Sequence, residues 1–264
     1  VAGARDAEGV VIHDELRGRL MYLAFSQKHP ELSKPQVRQA MKYLVDYEGM
    51  QNSFLNGQYT IHQNFLPRTF LGAVDENPFS LNVEKAKALL AEAGVPEGLE
   101  LTAGVREAQE RIEIAQTFQN ALAQVGIKLN ITVGTAKQIL GEYRSRNLDV
   151  YIGAWGPDYP DPHTNAGTFA YNPDNSDAAN ATGLLAWRNS WDTGGLTDKT
   201  AAAVVENDRD VRQQMYSDIQ AEFRGTSPFA VMFQKIEQAA MRDNVQNVNL
   251  GGATTAVSYW PITK

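Results

Sequence analysis

Between Leu99 and Trp155 the sequence alternates three short apolar runs with two amphipathic segments. The runs LELTAGV, KLNITV and LDVYIGAW have the length and residue types of strands. The segment REAQERIEIAQTFQNALAQVG has the apolar spacing of a helix that stops at Gly126, and TAKQILGEYRSRN predicts a shorter helix. Alternating strands and helices are typical of an α/β fold, in which ligands bind beyond the carboxyl ends of the strands.

The residues before this region predict a strand and two helices. The apolar run Leu20 to Phe25 reads as a buried strand. Ser33, just before Pro35, is expected to be the N-cap of a helix that runs to about Tyr47. A further helix is expected between an N-cap at Asn82 and a C′ glycine at Gly94.

The last third of the chain predicts one more helix and strand. The segment DRDVRQQMYSDIQAEFRG has helical spacing and is expected to end at Gly225. The apolar segment SPFAVMFQ, entered through Pro228, is expected to form a strand. The residues after Arg242 are polar and rich in turn formers. The pattern therefore predicts a mixed central sheet flanked by helices, without internal repeats.

Composition excludes several classes of protein. The 264 residues are 43% hydrophobic and 21% charged, as in folded globular domains. A net charge of −7 without any Lys/Arg-rich run argues against nucleic-acid binding. The chain has no cysteine, no apolar run of about 20 residues, and no export signal in its first residues. Its four histidines lack metal-ligand spacing, so no metal or cofactor is expected; they are His13, His29, His62 and His163.

The segment YIGAWGPDYPDPHTN follows the last apolar run of the alternating region. From residue types alone, Asp158 is either the cap of a Pro-stiffened turn or a ligand-binding carboxylate, and Trp155 is either a core anchor or a ligand contact. Asp161 has a proline on each side, which favours a role in fixing the loop. A glycosidase would use Asp158 and Asp161 as a catalytic pair, but residues three apart on one loop rarely reach opposite sides of a bond.

Five segments resemble, in their order, those of the extracytoplasmic solute-binding proteins of peptide-type ABC transporters, the family of oligopeptide-, dipeptide- and nickel-binding proteins. The segments are PQVRQAMKYLVDYEGM, NVEKAKALLAEAGVPEG, AQTFQNALAQVGIKLNITV, LDVYIGAWGPDYPDP and DVRQQMYSDIQAEFRGTSPFAVMFQ. The resemblance implies a periplasmic-binding-protein-like lobe over residues 22–233. Residues 1–21 would then be a piece of the first lobe and the hinge, and residues 234–264 a return to the first lobe, in a fragment of a longer chain.

The resemblance also implies a function. The protein would be a periplasmic, monomeric binding protein without enzymatic activity. It would capture a peptide or similar solute between two lobes and deliver it to the membrane permease. A nickel complex, an oligosaccharide or an opine is the alternative solute in the same family. A glycosidase and a pure interaction module are the alternatives outside it.

The resemblance assigns roles to particular residues. Asp158 would pair with the α-ammonium of a bound peptide, with Trp155 and Tyr159 beside it. In a Gly-rich loop that departs from the family's usual wording, three more residues would line the ligand side or, as an equal alternative, pack against their own lobe: Trp187, Arg188 and Asn189. His163 follows the Pro-stiffened turn and could reach the edge of the cleft, but a solvated loop residue is the favoured interpretation. Ser26 is a second departure, since relatives commonly have Asn there.

Overall fold

The sixteen-residue strand β1 (Val10–Phe25) lies near the centre of a six-stranded sheet in the computed structural model, which describes residues 2–4, 6–251 and 259–264. Strand β1 is antiparallel to both of its neighbours, whereas the three strands of the alternating region are mutually parallel. The predicted mixed α/β sheet is therefore confirmed. Across the sheet the order is β2 (Tyr59–Ile61), β6 (Phe229–Arg242), β1, β5 (Val150–Trp155), β3 (Glu100–Arg106) and β4 (Lys128–Gly134).

Helices cover both faces of this sheet. Within the described part of the chain, no helix is long and apolar enough to cross a bilayer. In chain order the helices are α1 (Pro35–Tyr43), α2 (Tyr47–Asn52), α3 (Val83–Glu92), α4 (Gln109–Ala123), α5 (Ala136–Arg144), α6 (His163–Phe169), α7 (Leu185–Arg188), α8 (Gly195–Val205) and α9 (Arg209–Thr226).

The inner half of β1 divides the core into two layers. Alternate side chains of a strand point to opposite faces, so Met21, Leu23 and Phe25 join the helices α1 to α4. Leu20, Tyr22 and Ala24 face the other layer, which is formed by α5 to α9. All six residues are 0–1% exposed. Full burial of each large apolar side chain contributes about 1.5–3 kcal/mol to the free energy of unfolding, so this segment stabilises both core layers.

Strands β1 and β6 continue as a two-stranded ribbon beyond the residues that the sequence predicts. Their pairing runs from Val10 opposite Arg242 to Ala24 opposite Phe229, with register shifts inside it. The outer half of each strand is only partly buried and carries many polar residues, so apolar periodicity does not reveal it. Gln234 is fully buried where the two halves meet, and its Nε2 donates to the Arg17 carbonyl at 2.9 Å.

The expected helix from Ser33 to about Tyr47 is wrong at both ends. A residue before proline is held in the extended region, so Lys34, not Ser33, occupies the N-cap position, and Pro35 begins the helix. The Ser33 hydroxyl donates to the Pro30 carbonyl instead. The helix ends at Tyr43, and α2 begins separately after an Asp46 cap.

Other helix boundaries follow their local signals. Asn82 caps α3 by accepting from the Lys85 amide at 2.9 Å, and Gly94 has the positive φ of a C′ residue, as predicted. Helix α9 passes through Gly225 and ends at Thr226, so the predicted stop is wrong. Ser227 is extended because Pro228 follows it, and this restriction ends the helix.

The buried Lys42 on α1 makes stability depend on pH. Its side chain is 1% exposed, and its Nζ donates to the Arg224 carbonyl at 2.7 Å. Burial, with a smaller contribution from the charge of Arg38, lowers the pKa of Lys42 to about 7. A lysine in the unfolded chain has a pKa of about 10.4, so it keeps its proton at pH values at which the folded Lys42 has lost its proton.

Between about pH 7 and 9 the unfolded chain binds the proton that the folded chain lacks, so stability rises with pH by at most about 1.4 kcal/mol per unit. Closer to pH 10 the buried tyrosines, whose pKa burial raises, oppose this rise. We expect thermal unfolding to show this rise and Lys42→Met to flatten it. The matched control Lys85→Met changes an exposed lysine and should keep the slope. A slope that persists in Lys42→Met contradicts the assignment.

Candidate ligand-binding site

Strand β5 ends at the edge of the sheet where parallel strands present their carboxyl ends. Trp155, its last residue, lies opposite Leu20 of β1. The chain then forms a loop from Gly156 to Pro162 and enters α6 at His163. The three prolines in this loop restrict its backbone and lack amide donors. The fully buried part of β1 thus fixes the point at which the loop leaves the core.

A shallow cavity of about 270 Å³ lies between this loop and α6. It brings together Trp155, Asp158 and Tyr159, which the sequence singled out. Tyr159 is 50% exposed, and Trp155 packs partly against the core layer of α5 to α9. The indole Nε1 of Trp155 is buried without a hydrogen-bond partner among the described residues. The far wall consists of His163, Thr164, Gly167 and Thr168 of α6.

The two loop carboxylates have opposite environments. Asp158 is exposed, and no hydrogen bond or ion pair to it is found in the described ranges. Asp161 is half-buried and accepts two hydrogen bonds from the guanidinium of Arg212, each at 2.9 Å. It also accepts from the His163 amide at 2.8 Å. Asp158 is therefore available to a ligand, whereas Asp161 belongs to the protein's own structure.

The environment of Asp161 keeps it ionised. Partial burial pushes its pKa up, but the hydrogen bonds from Arg212 and the His163 amide outweigh burial and hold the pKa below its ordinary value. A glycosidase acid would need a raised pKa, so Asp161 does not have the environment of such an acid. Within the described residues, no group of three or more His, Asp or Glu side chains could hold a metal ion.

Trp187, Arg188 and Asn189 do not line this cavity. The Gly-rich loop predicted for them is wrong, because they form and follow the short helix α7. All three are buried, and their polar groups are used internally. Trp187 Nε1 donates to the Ser176 carbonyl at 2.9 Å, Arg188 Nε to the Thr182 carbonyl at 2.7 Å, and Asn189 Nδ2 to the Tyr143 hydroxyl at 2.6 Å. These hydrogen bonds keep the polar groups of the three residues within the protein's own structure.

His163 lines the cavity, whereas the sequence reasoning favoured a solvated loop residue over one at the cleft edge, and the solvated loop is wrong. His163 is the first residue of α6, and its Nδ1 is buried without a partner among the described residues. Gly167, one turn later, leaves room for the ring, since a Cβ there would lie 3.0 Å from His163 Nε2. A glycine four residues after a histidine was the available signal.

Positive charge collects at the neighbouring strand end, which the sequence reasoning also missed. Strand β3 ends at Arg106, and α4 begins after Ala108 without a side-chain cap. Arg111 is 3% exposed, and its Nη1 is buried without a partner in the described structure. Burial lowers the pKa of Arg111, the charges of Arg106 and Arg19 lower it further, and Tyr151 and Glu110 raise it in part. Arg19, Arg106 and Arg111 are called the arginine cluster below.

The comparison with protein families agrees with this architecture. Residues 1–177 match the family described as Bacterial extracellular solute-binding proteins, family 5 Middle. The chain belongs to this family. The match covers the sheet edge, the loop and α6, so the candidate site lies within the part of the chain that defines membership of family 5.

Two curated members of the wider group are similar in sequence to this family 5 chain. Di/tripeptide-binding protein 1 of Pseudomonas aeruginosa is 24% identical over 239 residues, which cover 88% of this chain and 43% of that protein. Heme-binding protein A of Haemophilus influenzae is 32% identical over 152 residues, which cover 53% of this chain and 27% of that protein. The chain therefore spans less than half the length of either relative.

A solved structure shows the same fold. HbpA2 from Haemophilus parasuis superimposes with a TM-score of 0.87 and 21% sequence identity, over 99% of this chain and 51% of that one. At this level of identity the likeness establishes the fold of the family 5 chain and does not transfer a ligand.

The ionisation of His163 tests the geometry of the cavity wall. Burial lowers its pKa below 6.5, while the Asp161 carboxylate raises it and Arg212 lowers it. We expect an NMR titration to place the His163 midpoint below 6.5, and Asp161→Asn to lower the midpoint further because a stabilising negative charge is lost. A higher midpoint in Asp161→Asn would show that the carboxylate does not face the imidazole.

Proposed function

We propose that this chain forms the ligand-cleft lobe of a solute-binding protein that supplies a peptide to an ABC importer. The observation that carries the proposal is the unpaired Asp158, beside two aromatic residues, at the end of β5. Family membership and the similarity to a di/tripeptide-binding protein support it. We assign residues 22–233 to this lobe, residues 1–21 to the first lobe and hinge, and residues 234–264 to the return into the first lobe. Positions 1, 5 and 252–258 of these ranges lie outside the described residues.

Asp158 would bind the α-ammonium group of the peptide. A desolvated ammonium is costly unless it is paired, and an ammonium–carboxylate hydrogen bond is about twice as strong as a neutral one. Tyr159 and Trp155 offer flat aromatic surface next to the carboxylate, which suits contact with a cation or with the peptide backbone. Asp158 meets no competing cation in the described structure, so a ligand would not have to displace one.

The arginine cluster would bind the anionic end of the ligand. Arg106 ends β3 at the same edge of the sheet at which β5 delivers Asp158, because the two strands are parallel. Guanidinium groups match the geometry of a carboxylate and bind it through two hydrogen bonds. A carboxylate on one side and arginines on the other complement a zwitterion, which is the charge pattern of a short peptide.

The proposed cycle depends on differential binding and involves no bond breaking. Contacts made by both lobes exist only in the closed form, so ligand shifts the population from open to closed. The closed, monomeric receptor would then deliver the solute to the permease subunits from the periplasmic side of the membrane. The family's extracellular character supports this location.

A non-peptide solute is the second candidate. The observation in its favour is the 32% identity to a heme-binding protein. The arginine cluster would accept carboxylates of other molecules as well. Titration of the full-length receptor with hemin, a nickel–histidine complex, an opine and an oligosaccharide, beside trialanine, separates these solutes. Binding of one of them with no binding of any peptide overturns the peptide proposal.

Asp158→Asn should weaken the binding of trialanine to the full-length receptor by about 30-fold or more, since it leaves a buried ammonium without a carboxylate. Isothermal titration calorimetry measures the change. Asp198→Asn removes an exposed carboxylate from α8 and serves as the control, with affinity unchanged. Undiminished affinity in Asp158→Asn rules out the ammonium contact.

Arg106→Gln should weaken trialanine binding by about tenfold, because a hydrogen bond between charged groups contributes about 1.5–3 kcal/mol. Trialanine amide has no terminal carboxylate, so its affinity should not change. Arg144→Gln alters an exposed arginine on α5 and should affect neither ligand. Equal losses for both ligands would place the peptide carboxylate elsewhere.

A further inference from the structure

We propose that Arg212 is a positioning residue that aims the Asp158 carboxylate at the ligand by holding Asp161. The inference rests on the proposed function, because it concerns the ammonium contact of that site. Arg212 lies in the first turns of α9, more than fifty positions from Asp161 in sequence, and the cavity-lining residues do not include it. Its effect on ligand is therefore indirect.

Arg212 and the backbone hold every polar group of Asp161. Nη1 of Arg212 donates to Oδ2, and Nη2 donates to Oδ1, each at 2.9 Å. The Asp161 amide donates to the Tyr159 carbonyl at 2.9 Å, and its carbonyl accepts from the Thr164 amide at 3.1 Å. The residue is thereby fixed in position and in orientation, between the loop on one side and α6 on the other.

The anchor itself is rigid. Arg212 Nε donates to the Ala203 carbonyl near the end of α8 at 3.1 Å, and the guanidinium lies over the Tyr216 ring, 5.3 Å from its centroid. Tyr216 is fully buried in the core layer of α5 to α9. Because Arg212 is held by contacts with α8 and α9, it fixes the loop relative to these two helices.

Asp158 depends on this anchor for its direction. Its own carboxylate has no partner in the described ranges, so contacts of the side chain do not orient it. It lies three residues before Asp161, and Pro157 and Pro160 restrict the backbone around it. With Trp155 fixed at the end of β5 and Asp161 fixed by Arg212, few backbone conformations remain between them. Such preorganisation lowers the entropic cost of binding.

A purely structural ion pair would behave differently from a positioning one. Loss of a structural contact lowers the affinity for every ligand, or unfolds the loop, without regard to the ligand's amine. Loss of a positioning contact weakens only the interaction made by Asp158. The ratio of affinities for trialanine and N-acetyltrialanine isolates that interaction, because acetylation removes the ammonium charge and leaves the remaining peptide groups.

The experiment measures this amine selectivity in the full-length receptor by calorimetry. Four proteins form a cycle: the wild type, Asp158→Asn, Arg212→Met and the double variant. We expect Arg212→Met to lower the selectivity by about threefold to tenfold, while the affinity for N-acetyltrialanine stays nearly constant. In the double variant the loss should equal that of Asp158→Asn alone, because Arg212 acts through Asp158.

Two further variants control for folding. Arg212→Lys keeps the charge but loses the paired geometry, so its selectivity should lie between those of the wild type and Arg212→Met. Arg209→Met changes an exposed arginine of the same helix and should leave the selectivity unchanged. If Arg212→Met fails to fold by thermal melting, Arg212→Lys carries the test, and its unchanged selectivity would overturn the proposal.

The outcomes separate the two proposals. If Asp158→Asn abolishes the selectivity and the Arg212 variants leave it intact, the positioning role is wrong and the proposed function stands. If the losses in the double variant add, Arg212 acts independently of Asp158 and the positioning role is also wrong. If Asp158→Asn leaves the selectivity intact, or trialanine does not bind, the ammonium site itself fails and the positioning role fails with it.

Discussion

The fold depends on burying both faces of one segment of β1. Leu20 to Phe25 are enclosed by two helical layers and are paired on both edges, with β5 on one side and β6 on the other. A strand buried on both faces has strongly specified register, because a slip by one residue would exchange the two sets of side chains. The pairing of Leu20 with Trp155 therefore determines where β5 ends and where the loop from Gly156 to Pro162 begins.

In the proposed site, the two carboxylates of the loop have different roles. Asp161 is paired with Arg212, whereas Asp158 has no partner among the described residues and is the carboxylate that we propose for the ligand. The two carboxylates differ in position, because Asp161 lies against α9, where Arg212 pairs with it. The arginine cluster at the end of β3 complements Asp158 with the opposite charge.

Sequence reasoning succeeded where a short-range signal decides the structure. The apolar run of β1, the Asn82 cap and the glycine at position 94 each act through their nearest neighbours. It failed where distant residues decide. Nothing local indicates that the polar half of β6 pairs with β1, or that Trp187 and its two neighbours turn inward as a helix. The candidate site was predicted in part: three of its residues are in the motif, whereas Arg212 and the arginine cluster come from elsewhere in the chain.

A crystal structure of the full-length receptor with a bound peptide tests the central claim most directly. The account predicts an Asp158 carboxylate oxygen about 2.7–2.9 Å from the ligand ammonium nitrogen, while Asp161 keeps both hydrogen bonds to Arg212. It also predicts the ligand carboxylate at the end of β3, beside Arg106. A peptide bound with Asp158 turned to solvent, or with its ammonium paired to another carboxylate, would contradict the account.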